Sequence, residues 1–220
     1  MKLGATSSRV AEGHTVMSCY LYPSTVRVGK RAVASPLLTD GKHRFIEPAS
    51  AYIRYLATVR ELRASSVQTN AQWLLHFCNY LARKLKGKPC SRVTSLGLST
   101  NVSEALLIVR DSHLKEWLDE QNDAETCVQT QNQRLDAVFL FYIWMEVNGY
   151  VLHSVRVPGV NDHERFTPRL NSRPAKKSTY GRRPSRYGIV SDLRKIVKDR
   201  DMLPTPDELQ MAELYAACAR

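Results

Sequence analysis

Apolar residues recur at helical spacing through the middle of the chain, and the longest such stretch is Ser65–Lys88. Val67, Leu74, Phe77, Cys78, Leu81 and Leu85 fall on one stripe, with Gln68, Thr69, Gln72, Asn79 and Arg83 off it. Ser65-x-x-Gln68 fits a capping box, in which each side chain satisfies a free backbone N–H of the first turn. Lys84, Lys86 and Lys88 close the stretch and complement the negative end of a helix. Gly87 and Pro89 interrupt it there.

The same reading predicts elements on either side. Pro48 opens a helix to about Arg63, with Tyr52, Ile53, Leu56 and Val59 on its apolar face. A short helix is expected around Ser103–Ile108. Asp111 or Ser112 then caps a helix to about Gln121 that turns Leu114, Trp117 and Leu118 inward. Thr126-Cys-Val-Gln129 reads as a second capping box. The helix it starts runs to Asn148, with Gly149 as a left-handed stop. Its broad apolar face, Leu135, Val138, Phe139, Tyr142, Ile143 and Met145, makes it central and buried. Ahead of the helices, Tyr20-Leu-Tyr and Thr25-Val-Arg-Val favour strands, and Asp40-Gly41 between short apolar pieces signals the turn of a small β-hairpin.

Patterning fades beyond Val151. Four prolines and three glycines lie among residues 151–203, which read as a long, partly extended linker. Leu203-Pro-Thr-Pro-Asp-Glu-Leu then restarts a helix, with Thr205 as N-cap, Pro206 at the first position and Glu208 at the third.

Charge changes the picture. The net charge is +11, but residues 51–150 carry 11 basic and 10 acidic side chains, against 13 and 4 over residues 151–200. Arg165–Arg186 holds eight basic residues and no acid, with Tyr180 beside the arginines. Such a block is either a solvated linker or an electrostatic footprint for nucleic acid, in which the tyrosines add stacking surface. The polar run Gln129–Arg134 stands equally open. It faces water, or its Gln, Asn and Arg side chains read base edges in a major groove.

Other chemistry finds little support. The five cysteines are widely spaced with no Cys-x-x-Cys, and no His pair has metal-ligand spacing, so reduced, mostly buried thiols and no metal or cofactor are expected. The N-terminus lacks the apolar centre of a signal peptide, and no apolar run reaches the ~18 residues of a membrane span. A cytoplasmic, nucleoid-associated location without membrane contact is expected.

The order of these elements resembles the N-terminal half of a tyrosine recombinase of the phage integrase family. The similarity is carried by Tyr52–Leu56, by Ser66-Val67 through Phe77 to Leu81, by Gln133-Arg-Leu-Asp-Ala-Val through Phe141-Tyr142-x-Trp144 to Gly149, and by Pro204–Leu209. It implies a mainly α fold in which a four-helix core-binding (SAM-like) bundle clamps double-stranded DNA. The implied division is an N-terminal extension with the hairpin (1–47), the bundle (48–152), a basic linker (153–203) and the start of a catalytic domain (204–220). The family's nucleophilic Tyr and its Arg, Lys and His partners belong to that last domain, so no catalytic residue is expected in this chain and no cleavage by it. Family members work as tetramers on paired sites, which implies homo-oligomers.

One departure matters. Asn70, Ala71 and Gln72 stand where the family shows an aromatic and basic residues. The expected DNA contacts are therefore Thr69 and Gln72, the basic end Arg83, Lys84 and Lys86, the run Gln131, Asn132 and Arg134, and Lys176, Lys177, Arg182, Arg183 and Arg186 of the linker. Two other readings fit the same pattern: a helical protein–protein interaction module with a basic tail, and a stand-alone DNA-binding regulator.

Overall fold

A computed structural model describes residues 18–86, 101–152, 154–157, 167–175 and 189–195. Over these residues the chain is mainly helical, with small antiparallel strand pairs.

The helices are α1 (Glu47–Thr58), α2 (Ala64–Lys86), α3 (Val102–Leu107), α4 (Asp111–Asp123) and α5 (Val128–Val147). α2 and α5 pack on each other at the centre, and α1 lies against both. The α2 stripe is buried as its spacing predicts: Val67, Leu74, Phe77, Cys78 and Leu81 are all fully enclosed. Aromatic rings join the helices. Tyr52 of α1 meets Phe141 and Trp144 of α5 with centroids 5.5 and 5.4 Å apart, and Phe77 of α2 meets Trp117 of α4 at 5.0 Å, edge to face. Tyr142 carries a hydroxyl into this core and donates it to the Leu106 carbonyl of α3 at 3.0 Å. Cys19 and Cys78 are buried, and burial pushes the Cys19 thiol up to about 12, as suits an inert thiol.

Helix ends differ from the sequence expectation. α1 stops at Thr58 rather than near Arg63, because the Leu62 N–H turns back to the Leu56 carbonyl and Glu61 takes a positive φ of 47°. Val59 consequently leaves the apolar face and is 68% exposed. α2 begins at Ala64, which puts Ser65 inside the first turn and not at the cap. The cap of α5 is Cys127, whose thiol meets the Thr130 hydroxyl at 3.0 Å and makes no cap bond to the backbone, so the Thr126 capping box does not form. Gly149 does act as the stop. At a φ of 74° it donates to the Glu146 carbonyl, and Tyr150 donates to that of Met145, which is a Schellman closure.

The N-terminal strands form one longer device than expected. β1 (Tyr20–Tyr22) pairs with β4 (Leu37–Thr39), and β2 (Thr25–Val28) pairs with β3 (Arg31–Ala34), all antiparallel. The register runs unbroken between the pairs. Tyr22 faces Leu37 and Thr25 faces Ala34, so Pro23 stands opposite Pro36 and Ser24 opposite Ser35. The facing prolines remove two ladder donors, and the Ser35 N–H to Ser24 carbonyl bond at 2.8 Å resumes the ladder. The hairpin turn is Gly29-Lys30, with Gly29 at a φ of 59°, the left-handed region that a two-residue turn requires. The expected reversal at Asp40-Gly41 makes only a single bridge, Thr39 to Phe45. Ser50 of α1 clamps the ribbon's base by hydrogen bonds to both the N–H and the carbonyl of Leu38.

The described parts of the expected linker are docked on the helices. Glu146, 2% exposed, accepts backbone N–H bonds from Val155 (2.5 Å), Arg156 (3.1 Å) and Val157 (2.9 Å). Leu170 donates to the Ser154 carbonyl, and the Asp111 N–H donates to that of Arg169. β5 (Ser172–Pro174) pairs antiparallel with β6 (Ile189–Ser191), and β6 packs on α5. Residues 153, 158–166, 176–188 and 196–203 of the same segment lie outside the described residues, as does the helix expected from Thr205.

Replacing Glu146 with Gln places an amide NH2 among three N–H donors. We expect a loss of about 2–4 kcal/mol in unfolding free energy, read from the chemical-denaturation midpoint. An unchanged midpoint would show that the carboxylate does not hold this turn.

Candidate nucleic-acid interface

The sequence-predicted contacts fall into four groups in the structure. On the first turns of α2, the Thr69 hydroxyl donates back to the Ser65 carbonyl at 2.9 Å, and Gln72 is exposed. The amide of Asn70, at the departure from the family pattern, likewise bonds back to the Ser66 carbonyl.

The second group is the basic end of α2, and acidic residues of α4 cover it. Arg83 pairs with Glu120 at 2.7 Å. Lys84 bridges Glu116 and Glu120, sits 5.4 Å over the Tyr80 ring, and shares Glu116 with the Tyr80 hydroxyl. Partial burial disfavours the Lys84 ammonium, but the two carboxylates outweigh it and hold its pKa above the ordinary range. The same Lys84 bond holds the Glu116 carboxyl below its own. Lys86 ends the helix, and its side chain lies outside the described residues.

The third group, at the start of α5, is turned inward. Asn132 is 4% exposed and grips the Lys195 backbone with both ends of its amide: its NH2 donates to the carbonyl at 2.8 Å, and its oxygen accepts the N–H at 3.0 Å. Gln131, 2% exposed, donates to Asn122 and to the Thr126 carbonyl and accepts from the Lys195 ammonium. Neither side chain faces a groove, so the expectation of base reading by these two meets a structural role instead. Arg134 is half-buried, donating to Gln121 at 3.0 Å and lying 3.4 Å from His76 Nε2. The other His76 nitrogen accepts the Trp117 indole N–H at 3.2 Å. Burial, with Arg134 and Arg83 nearby, keeps the His76 pKa below the ordinary value. His113, whose Nδ1 accepts the Arg110 N–H, is lowered too, mainly by burial.

The fourth group, Lys176, Lys177, Arg182, Arg183 and Arg186, lies outside the described residues, but its two ends do not. Pro174 faces Ile189 across the β5–β6 ladder, so residues 175–188 leave and return at one place. That base is anchored to the helices. Asp111 Oδ2 accepts the Asn171 N–H at 2.8 Å, Arg173 donates to the Arg194 carbonyl, Arg194 pairs with Asp136 at 3.3 Å, and the Lys195 ammonium reaches Asn122 at 2.6 Å.

Sequence reasoning missed a further set of cations. Arg27, Lys30 and Arg31 are exposed at the tip of the β2–β3 ribbon, and Arg60 and Arg63 on the turn between α1 and α2. None of the five makes an ion pair or side-chain hydrogen bond among the described residues. The available signal was Val28-Gly-Lys-Arg31, a two-residue turn between β-branched strands. Among the described residues no group of His, Cys, Asp or Glu is placed to hold a metal ion, and no helix is long and apolar enough to cross a membrane.

Two outcomes follow from this arrangement. Asn132→Ala leaves two Lys195 backbone groups without partners. It should cost about 1–3 kcal/mol and speed proteolysis within residues 176–200, while any preference among DNA sequences stays as in the wild type. A changed preference with unchanged stability would restore base reading. His76 and His113 are held neutral in the fold, with pKa values below the unfolded value of about 6.5, so the unfolded chain binds more protons as the pH falls through that value. Stability should therefore fall from pH 7 to pH 5, and less steeply in His76→Gln. Parallel pH profiles of melting temperature would contradict this.

Set against protein-family models, curated proteins and solved structures, the chain matches none of them.

Proposed function

We propose that the chain is a DNA-binding module of the tyrosine recombinase (integrase) type. In this reading α1, α2, α4 and α5 are the four-helix, SAM-like core-binding bundle, and the partner is double-stranded DNA. One observation carries it. The β5–β6 ladder fixes both ends of residues 175–188 on the helical body, and this stretch has five cations, two tyrosines and no acid. An acid-free cationic segment whose flanks are anchored delivers charge near a defined place, at less entropic cost on binding than a free tail. The chemistry of strand cleavage is assigned to no residue of this chain.

A second reading has its own support. Arg83, Lys84, Gln131 and Asn132 are all engaged within the protein, which suits a helical protein–protein module whose basic segment serves another purpose. DNA titration separates the two. If the five cations of 175–188 each neutralise a phosphate, the slope of log affinity against log salt is roughly −4.5, and a fourfold salt increase weakens binding several hundred-fold. Replacing Arg182, Arg183 and Arg186 with Ala should reduce that slope by about 2.7 and weaken binding to all sequences alike. Salt-independent binding, or no binding at low salt, would favour the interaction module.

A further inference from the structure

The β2–β3 ribbon is an unusual place for unpaired charge. Its residues are exposed except Val26 and Val33, which pair across the strands on the half-buried face. The next pair, Arg27 with Ala32, is on the opposite face, where the small alanine leaves the guanidinium unobstructed. Lys30 occupies the turn and Arg31 begins the return strand. Behind the tip, Val28 and Arg31 share the wall of a cavity of about 280 Å3 with Thr58 and Glu61 of the α1–α2 turn, which carries Arg60 and Arg63. Arg31 and Glu61 thus share this cavity, with Arg60 and Arg63 beside Glu61 in the chain and Arg27 and Lys30 elsewhere on the ribbon.

The ribbon is held in place. Its base is clamped by Ser50, the Cys19 N–H is bonded to Asn79 of α2 at 2.6 Å, and the register is continuous through the facing prolines. Holding like charges together on an ordered element is unfavourable without a polyanion and favourable with one. A two-stranded ribbon also has the width that a DNA major groove, about 12 Å across, admits.

We propose that the ribbon tip and the adjoining α1–α2 turn form a second contact to duplex DNA, to the phosphates bordering a groove, separate from the 175–188 arm. This rests on the DNA-binding reading above. Arg27, Lys30 and Arg31 neutralise phosphates from the ribbon while Arg60 and Arg63 do so from the turn. The contact positions the duplex and carries no sequence preference of its own.

The test titrates the full chain with a duplex of arbitrary sequence from about 50 to 200 mM salt, the range over which phosphate contacts dominate the affinity. It compares the wild type with R27A/K30A/R31A, with the charge-preserving R27K/R31K, and with R182A/R183A/R186A. Arg27, Lys30 and Arg31 are exposed and outside the core, and an unchanged melting temperature verifies the folding of every variant. The ribbon triple variant should lower the salt slope by about 2.7 and the low-salt affinity at least roughly tenfold, with R27K/R31K close to wild type. If R27A/K30A/R31A binds as the wild type while R182A/R183A/R186A is weakened, the ribbon contact is overturned and the DNA-binding reading stands. If the wild type does not bind duplex DNA at low salt, both are overturned.

Discussion

The carboxylate of Glu146 is the constraint on which the second half of the structure turns. It is buried beside the Schellman closure of α5 and makes no ion pair among the described residues. An unpaired buried charge costs several kcal/mol unless its lone pairs are taken, and three successive N–H groups of residues 155–157 take them. The acceptor is satisfied only if the chain folds back across the end of α5. That reversal sets Ser154 against Leu170, which in turn delivers β5 to the side of the bundle where β6 meets α5. The place where residues 175–188 leave and rejoin the body is therefore tied to the C-terminal end of α5.

Magnitudes separate the cations and amides that DNA could recruit from those it could not. The Arg83–Glu120 pair is half-exposed, and pairs of that kind contribute ~0–1 kcal/mol, so a phosphate could compete for Arg83 at little cost. Lys84 is held by two carboxylates and a ring face and is harder to free. Asn132 is harder still, because releasing it strands two backbone groups of Lys195 at about 1–3 kcal/mol. Ranked this way, the start of α5 belongs to the architecture. What remains open to a polyanion is the ribbon tip, the α1–α2 turn and, by its sequence, the arm.

Local periodicity made the helices readable. The α2 stripe and the inward face of α4, Leu114, Trp117 and Leu118, are buried where the spacing put them. Local pattern could not see partners distant in sequence. Gln131 and Asn132 look like a polar first turn because what they bind, Lys195, lies more than sixty residues away. The docked pieces of the linker escaped notice for the same reason: Pro and Gly weaken every short-range signal there, while Glu146, Asp111 and Asn132 supply the fixing bonds from elsewhere. Pro23 and Pro36 show how pairing changes what a residue signals. Each alone argues against a strand, yet opposite one another they interrupt a single ribbon at one rung. The capping boxes failed because the helices began one or two residues away from the Ser and Thr that would have served them.

The distribution of free charge follows from the geometry of the two kinds of element. Helices packed side by side bring a basic turn of one against an acidic turn of the next, as α2 and α4 do, and such faces tend toward neutrality. The β2–β3 ribbon has α1 and α2 against one face, while Arg27 on its other face and Lys30 in its turn make no ion pair among the described residues. At physiological salt, exposed charges are screened beyond about 8 Å, so distant acids on the helical body do little to offset cations at the ribbon tip. Among the described residues, free positive charge thus gathers at the ribbon tip and the α1–α2 turn, with the helical core as their common support.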